Sequence, residues 1–150
     1  AFPIRATVSS GPIRPTARGL RPCGAPPRGS EGLRKLGQVL NDRGSKYAVS
    51  GCAAASREEV DAALKDLKRG KSYAKATHNT WGVLLSDGGA LKGDDGEAGA
   101  GMVILRMLER EGLEDHLVVV TRWYGGKHLG GDRFRHVQSC VRAYLDAIAA

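Results

Sequence analysis

The chain has 150 residues, with 23 lysines and arginines against 16 acidic residues, a formal net charge of +7 at pH 7, and three cysteines. That length holds one ordinary domain and little more. Cys23, Cys52 and Cys140 are too few and too far apart for a disulfide framework or a cysteine-based zinc site, which points to reduced thiols, and no stretch is long and apolar enough to cross a membrane.

The positive charge is unevenly spread. All six prolines fall between Pro3 and Pro27, and the first 30 residues hold five arginines and no Asp or Glu. Such a segment cannot bury enough apolar surface to offset chain entropy, so residues 1–30 read as a disordered arm and 31–150 as the domain. Without the arm's five arginines, 18 basic residues face 16 acidic ones. A net charge near +2 gives little ground for calling the domain a nucleic-acid binder on charge alone. An arginine-bearing, acid-free arm is also how an organelle transit peptide looks, a minority reading beside a cytoplasmic location.

From Leu33 the pattern is α+β. Gln38–Val39–Leu40 reads as a short strand, Asn41–Gly44 as a turn, and Lys46–Ala53 as a second strand with Tyr47, Val49 and Gly51 in alternation. Ser56 and Glu59 form a capping box, followed by one apolar helix face at Val60, Ala63, Leu64 and Leu67. Lys65, Lys68, Arg69, Lys71 and Lys75 crowd the C-terminal end, where positive charge suits the helix dipole. His78–Leu85 is the next strand. Asp87–Glu97 reads as a glycine- and acid-rich loop, and Ala98–Glu111 as a helix with Met102, Leu105 and Leu108 on its buried side. Asp94, Asp95 and Glu97 lack the regular spacing of a calcium loop, and acids before a helix are favoured by capping and dipole, so no metal is assigned.

His116–Ile148 is the stretch around which the rest is organised. Leu117–Val120 is a β-branched apolar run, a buried strand, and Thr121–Tyr124 carries it towards solvent. Gly125, Gly126, Gly130 and Gly131 turn the chain. After Asp132, placed at the N-cap, Phe134, Val137, Val141, Tyr144, Leu145 and Ile148 recur on one helix face. A glycine loop at a helix start, with Lys127, His128 and Arg133 nearby, suits an anion, but it equally suits a plain strand-to-helix connection. Its spacing is neither a P-loop nor a dinucleotide fingerprint, so the loop alone names no ligand or cofactor. His78, His116, His128 and His136 form no local metal pair, and no embedded nucleophile motif accompanies them.

Three ordered stretches carry a resemblance. Lys75–Ala76–Thr77–His78–Asn79, Asp94–Asp95–Gly96–Glu97, and Arg122–Trp123–Tyr124–Gly125–Gly126 with Leu129–Gly130 and Asp132–Arg133–Phe134–Arg135–His136 closely resemble the signatures of the IMPACT family. These are translational regulators of eukaryotes and their small bacterial relatives, and the form of the last motif resembles the eukaryotic branch. The resemblance covers residues 33–148. The chain departs from it at Gly82–Val83–Leu84–Leu85, where relatives carry a tyrosine and an arginine.

The resemblance implies an α+β domain with helices on one face of a mixed or antiparallel sheet, the fold shared with a small-subunit ribosomal protein and with domain four of elongation factor G. It also implies a non-catalytic regulator of translation, bound to a protein of the translation-control machinery or to the ribosome. In eukaryotic members the domain accompanies an RWD domain that competes for the activator of the starvation-responsive initiation-factor-two kinase. Arg122, Trp123, Lys127, His128, Arg133, Arg135 and His136 are the expected contact face. Direct RNA binding is the alternative, and an enzyme acting on a small phosphorylated substrate in the glycine loop is a third reading. No metal, cofactor or membrane partner is expected.

Overall fold

The computed structural model describes residues 33–149, so the proposed arm and Cys23 lie outside the described residues. Five strands and four helices follow in the order β1 (Arg34–Asp42), β2 (Ser45–Ala53), α1 (Arg57–Leu67), α2 (Lys71–Ala74), β3 (His78–Leu84), β4 (Ala90–Gly93), α3 (Ala100–Glu111), β5 (His116–Trp123) and α4 (Asp132–Ala149). The strands form one sheet in the order β1-β2-β5-β3-β4, and every neighbouring pair is antiparallel.

The β1–β2 hairpin closes at Asp42↔Ser45 over two residues, Arg43 and Gly44, both with positive φ (49° and 89°). Two left-handed residues give the turn a twist that matches its flanking strands. The anticipated capping box forms one residue out of step. Ser56 Oγ accepts the Glu59 N–H at 3.2 Å, while Glu59 Oε1 accepts from Ala55 rather than from Ser56 itself.

The α+β class and the antiparallel sheet are as expected, but the helices occupy both faces rather than one. Successive residues of β5 alternate between two cores. Val118 and Val120 pack with Tyr47, Val49, Ile104, Leu108, Val137, Val141 and Tyr144 beneath α3 and α4. Leu117 and Val119 pack with Val60, Leu67, Trp81 and Val83 beneath α1. An apolar run without polar alternation needs cover on both sides, and α1 supplies the second layer. Each of the six apolar α4 positions, Phe134 to Ile148, lies in or against the first core. On α3, Met102 points outward at 40% exposure, and Ile104, Leu105, Met107 and Leu108 form the buried face instead. The extra elements β4 and α2 are four residues each. Among the described residues no helix is long and apolar enough to cross a membrane.

Candidate functional site

The motif residues meet at the end of the sheet where β5 runs into the glycine loop. Arg122 does not reach the surface there. Its Nη1 donates to both carboxylate oxygens of Glu97, at 2.9 and 3.1 Å, and its Nη2 reaches Ser45 Oγ at 3.5 Å. Its guanidinium lies between the rings of Tyr47 and Tyr124, 5.7 and 5.6 Å from their centroids. Arg122 is 5% exposed and Glu97 4%. The expectation of Arg122 as a contact group is therefore corrected: a guanidinium taken out of water needs a carboxylate, and Glu97 is that partner.

The acidic loop serves the fold. Asp94 accepts the N–H groups of Gly101 at 2.8 Å and Gly99 at 3.2 Å, capping α3, which has no side-chain cap at Gly99. Burial alone would raise the Asp94 pKa, but these hydrogen bonds and Lys92 outweigh it and hold the carboxyl below its ordinary value. Asp95 accepts the Asn79 N–H at 2.7 Å, and its carbonyl takes the His78 Nδ1–H at 2.7 Å, while His78 Nε2 lies 3.2 Å from Glu97 Oε1. Asn79 in turn accepts from Thr121 Oγ1 at 2.7 Å. All three sequence motifs are thus joined in one polar network that holds β3, the acidic loop and β5 together. Among the described residues no group of three His, Cys, Asp or Glu side chains is placed to hold a metal.

The glycine loop is exposed, with Tyr124 at 43%, while Leu129 is tucked into the first core at 5%. Gly125 donates to Ser45 Oγ at 3.1 Å and lies so close to Gly44 and Ser45 that a Cβ there would collide with their backbone. The start of α4 is not open to an anion. The N–H groups of Asp132, Arg133 and Phe134 already bond to the carbonyls of Leu129, Gly130 and Gly131 at 3.1, 3.4 and 3.2 Å. Asp132 brings its own carboxylate, held by Arg43 at 2.5 Å and by Arg135. His136 Nε2 donates to Asp42 Oδ2 at 2.7 Å and packs against Tyr47, 5.3 Å between centroids. Arg43 first, then His136, hold the Asp42 carboxyl below its ordinary range.

The seven expected contact residues therefore separate. Arg122 is buried, and Arg135 and His136 are tied to Asp132 and Asp42. Lys127 and His128 are exposed on the loop, with Arg133 half-buried beside Phe134. His128 rests on Tyr124, ring centroids 5.7 Å apart. Trp123 turns to the face covered by α1 and α2, where its Nε1 donates to the Ser72 carbonyl at 2.8 Å and its ring meets Tyr73 at 5.5 Å. There it walls an open groove of about 510 Å³ with Gln38, Gly44, Lys46, Ala48, Ser72, Tyr73 and Tyr124. Lys46 and Tyr73 are not among the expected contact residues: Lys46 lies far from the motifs in sequence, and Tyr73 precedes the first of them by two residues. The signal that could have found Lys46 is its alternation with the inward-facing Tyr47 and Val49.

Fold and site together define an α+β domain with a sheet between two helical layers and its motif residues in one network at the sheet's end. The model of the Impact N-terminal domain matches residues 43–145, and the chain belongs to the IMPACT family. Protein IMPACT homolog of Caenorhabditis elegans is 37% identical over 118 residues, 73% of this chain and 45% of that protein. This chain thus spans less than half the length of that relative. Among solved structures, the crystal structure of a hypothetical protein is similar with a TM-score of 0.66 and 22% identity, over 77% of this chain and 60% of that one. The two-domain translational regulator Yih1 is 29% identical over 87% of this chain and 52% of its own, with a TM-score of 0.49.

Proposed function

We propose that this domain is a non-catalytic regulator of translation that acts by binding a partner protein or the ribosome. Membership of the IMPACT family supports the reading, and the observation that carries it is the surface where β5 runs into α4. There Tyr124, Lys127 and His128 are exposed on a loop whose base is fixed by the Gly125–Ser45 hydrogen bond and the buried Arg122–Glu97 pair. Exposed groups on a rigid base suit recognition. Among the described residues Lys127 and Arg133 pair with no carboxylate and remain available, whereas Arg135 and His136 steady the surface. Restraint of the starvation-responsive kinase pathway in the cytoplasm is the finer form of this proposal.

The two cysteines among the described residues are poor candidates for a nucleophile. Cys52 and Cys140 are enclosed, and burial pushes both up to about 12, so neither supplies a thiolate at neutral pH. The test is the double change Lys127→Ala with Arg133→Ala, followed by thermal melting and ribosome co-sedimentation. Surface substitutions usually stay within about 0.5 kcal/mol, so melting is expected to hold. Sedimentation is expected to weaken, since a charge-assisted contact is worth roughly 1.5–3 kcal/mol. Unchanged sedimentation sinks the proposal.

A further inference from the structure

The groove on the face shared with α1 and α2 adjoins the loop surface just described and shares only Tyr124 with it. Three aromatic rings wall it: Tyr73 and Trp123, tilted at 59° to each other, and the exposed Tyr124. Among the described residues its one charged lining residue is Lys46, and no acidic side chain lines it. Cations continue around it, since Lys35 Nζ lies 4.9 Å from the Tyr73 ring centroid and α2 begins at the exposed Lys71 and is followed by the exposed Lys75. Its remaining polar side chains, Gln38 and Ser72, are exposed and carry neutral donors and acceptors.

Ring faces beside lysines, with no carboxylate between them, fit a partner that alternates flat bases with phosphates. Bases stack on aromatic rings whatever their sequence, and lysine meets a phosphate as a point charge. Neutral amide and hydroxyl groups are suited to a ribose 2′-hydroxyl, which distinguishes RNA from DNA. An acidic peptide fits less well, because the forked geometry of arginine that favours carboxylates is missing from the lining among the described residues. We propose that this groove binds single-stranded RNA, with bases stacked on Tyr124 and the Tyr73–Trp123 wall and the backbone held by Lys46. This goes beyond the loop reading, and the choice of RNA also agrees with a translational role.

The test is fluorescence anisotropy of a labelled ten-residue oligouridylate with the full 150-residue chain, so that every variant carries the same N-terminal residues. Lys46→Ala and Tyr124→Ala remove exposed groups and are expected to leave the melting temperature close to that of the parent chain. Tyr124→Ala is expected to weaken oligouridylate binding by about five- to a hundredfold, the range for loss of one stacked base. Lys46→Ala is expected to weaken it and to flatten its salt dependence by about one ion. The Lys127→Ala/Arg133→Ala chain is expected to bind oligouridylate like the parent. That result stands whether or not its ribosome sedimentation falls, so the two proposals fail separately. Three outcomes overturn the RNA groove: binding insensitive to both groove changes, loss confined to the loop variant, or tighter binding of oligothymidylate or polyglutamate than of oligouridylate.

Discussion

Arg122 on β5 and Glu97 ahead of α3 form a buried ion pair, with Nη1 bridging both carboxylate oxygens at 2.9 and 3.1 Å and side chains only 7% and 4% exposed. Two of the family's motifs are thereby bonded to each other. Removing one partner leaves the other charged and enclosed, a loss of about 3–5 kcal/mol. Glu97→Gln and Arg122→Met are each expected to lower stability on that scale in urea unfolding. The double change Glu97→Gln with Arg122→Met is expected to lose less than the sum of the two single losses, because it strands no charge.

His116 gives the domain an acid-sensitive window. Its Nε2 shares a hydrogen bond with the Tyr144 hydroxyl at 2.7 Å, and burial lowers its pKa from 6.5 to about 4. Between those values the unfolded chain takes up a proton that the folded chain refuses. The stability held above pH 6.5 therefore falls as the pH drops to about 4, by up to roughly 3 kcal/mol. Melting temperature plotted against pH is expected to slope across this window in the parent chain and to slope less in His116→Gln.

Val119→Asp is expected to unfold the domain and Asp95→Asn to leave it folded. Val119 is fully buried in the core beneath α1, and an unpaired carboxylate there costs several kcal/mol, comparable with the whole stability of a small domain. Asp95 is exposed and left-handed (φ 48°), a conformation asparagine tolerates, and the amide oxygen still accepts from Asn79 N–H. Circular dichroism distinguishes the two results.

Gly125→Ala tests the close approach of the loop to the β1–β2 turn. An added methyl meets the Gly44 carbonyl and Ser45 nitrogen, backbone atoms that cannot swing aside. A loss of about 1–3 kcal/mol is expected, typical of overpacking. Gly131→Ala, where no atom lies within 4 Å of the new Cβ, serves as the control in the same melting experiment.

What was legible in the sequence was local. The α4 face and the β5 run declare themselves through apolar periodicity within one segment. β4 did not, since it has four residues, all at least partly exposed, and exists by pairing with β3, where Gly93 leaves room for the Trp81 ring. The one-faced sheet expectation missed what four consecutive apolar residues in β5 require, a helical layer on each side. At the site, Arg122 sits among polar neighbours in the motif, and its burial is set by Glu97, 25 residues away. The groove was invisible for the same reason: Lys46, Tyr73 and Tyr124 meet only once β2, α2 and β5 are in place.

The position of β5 also fixes the order in which the domain can be completed during synthesis. Among the described residues β1 pairs only with β2 and β4 only with β3, so residues 33–115 contain two hairpins with no strand in common. Isolated hairpins are marginal in water. Residues 116–123 slot between them and join both at once, and only then do the two apolar layers acquire their shared floor. The domain therefore gains its five-stranded sheet in one late step, when residues 116–123 clear the exit tunnel.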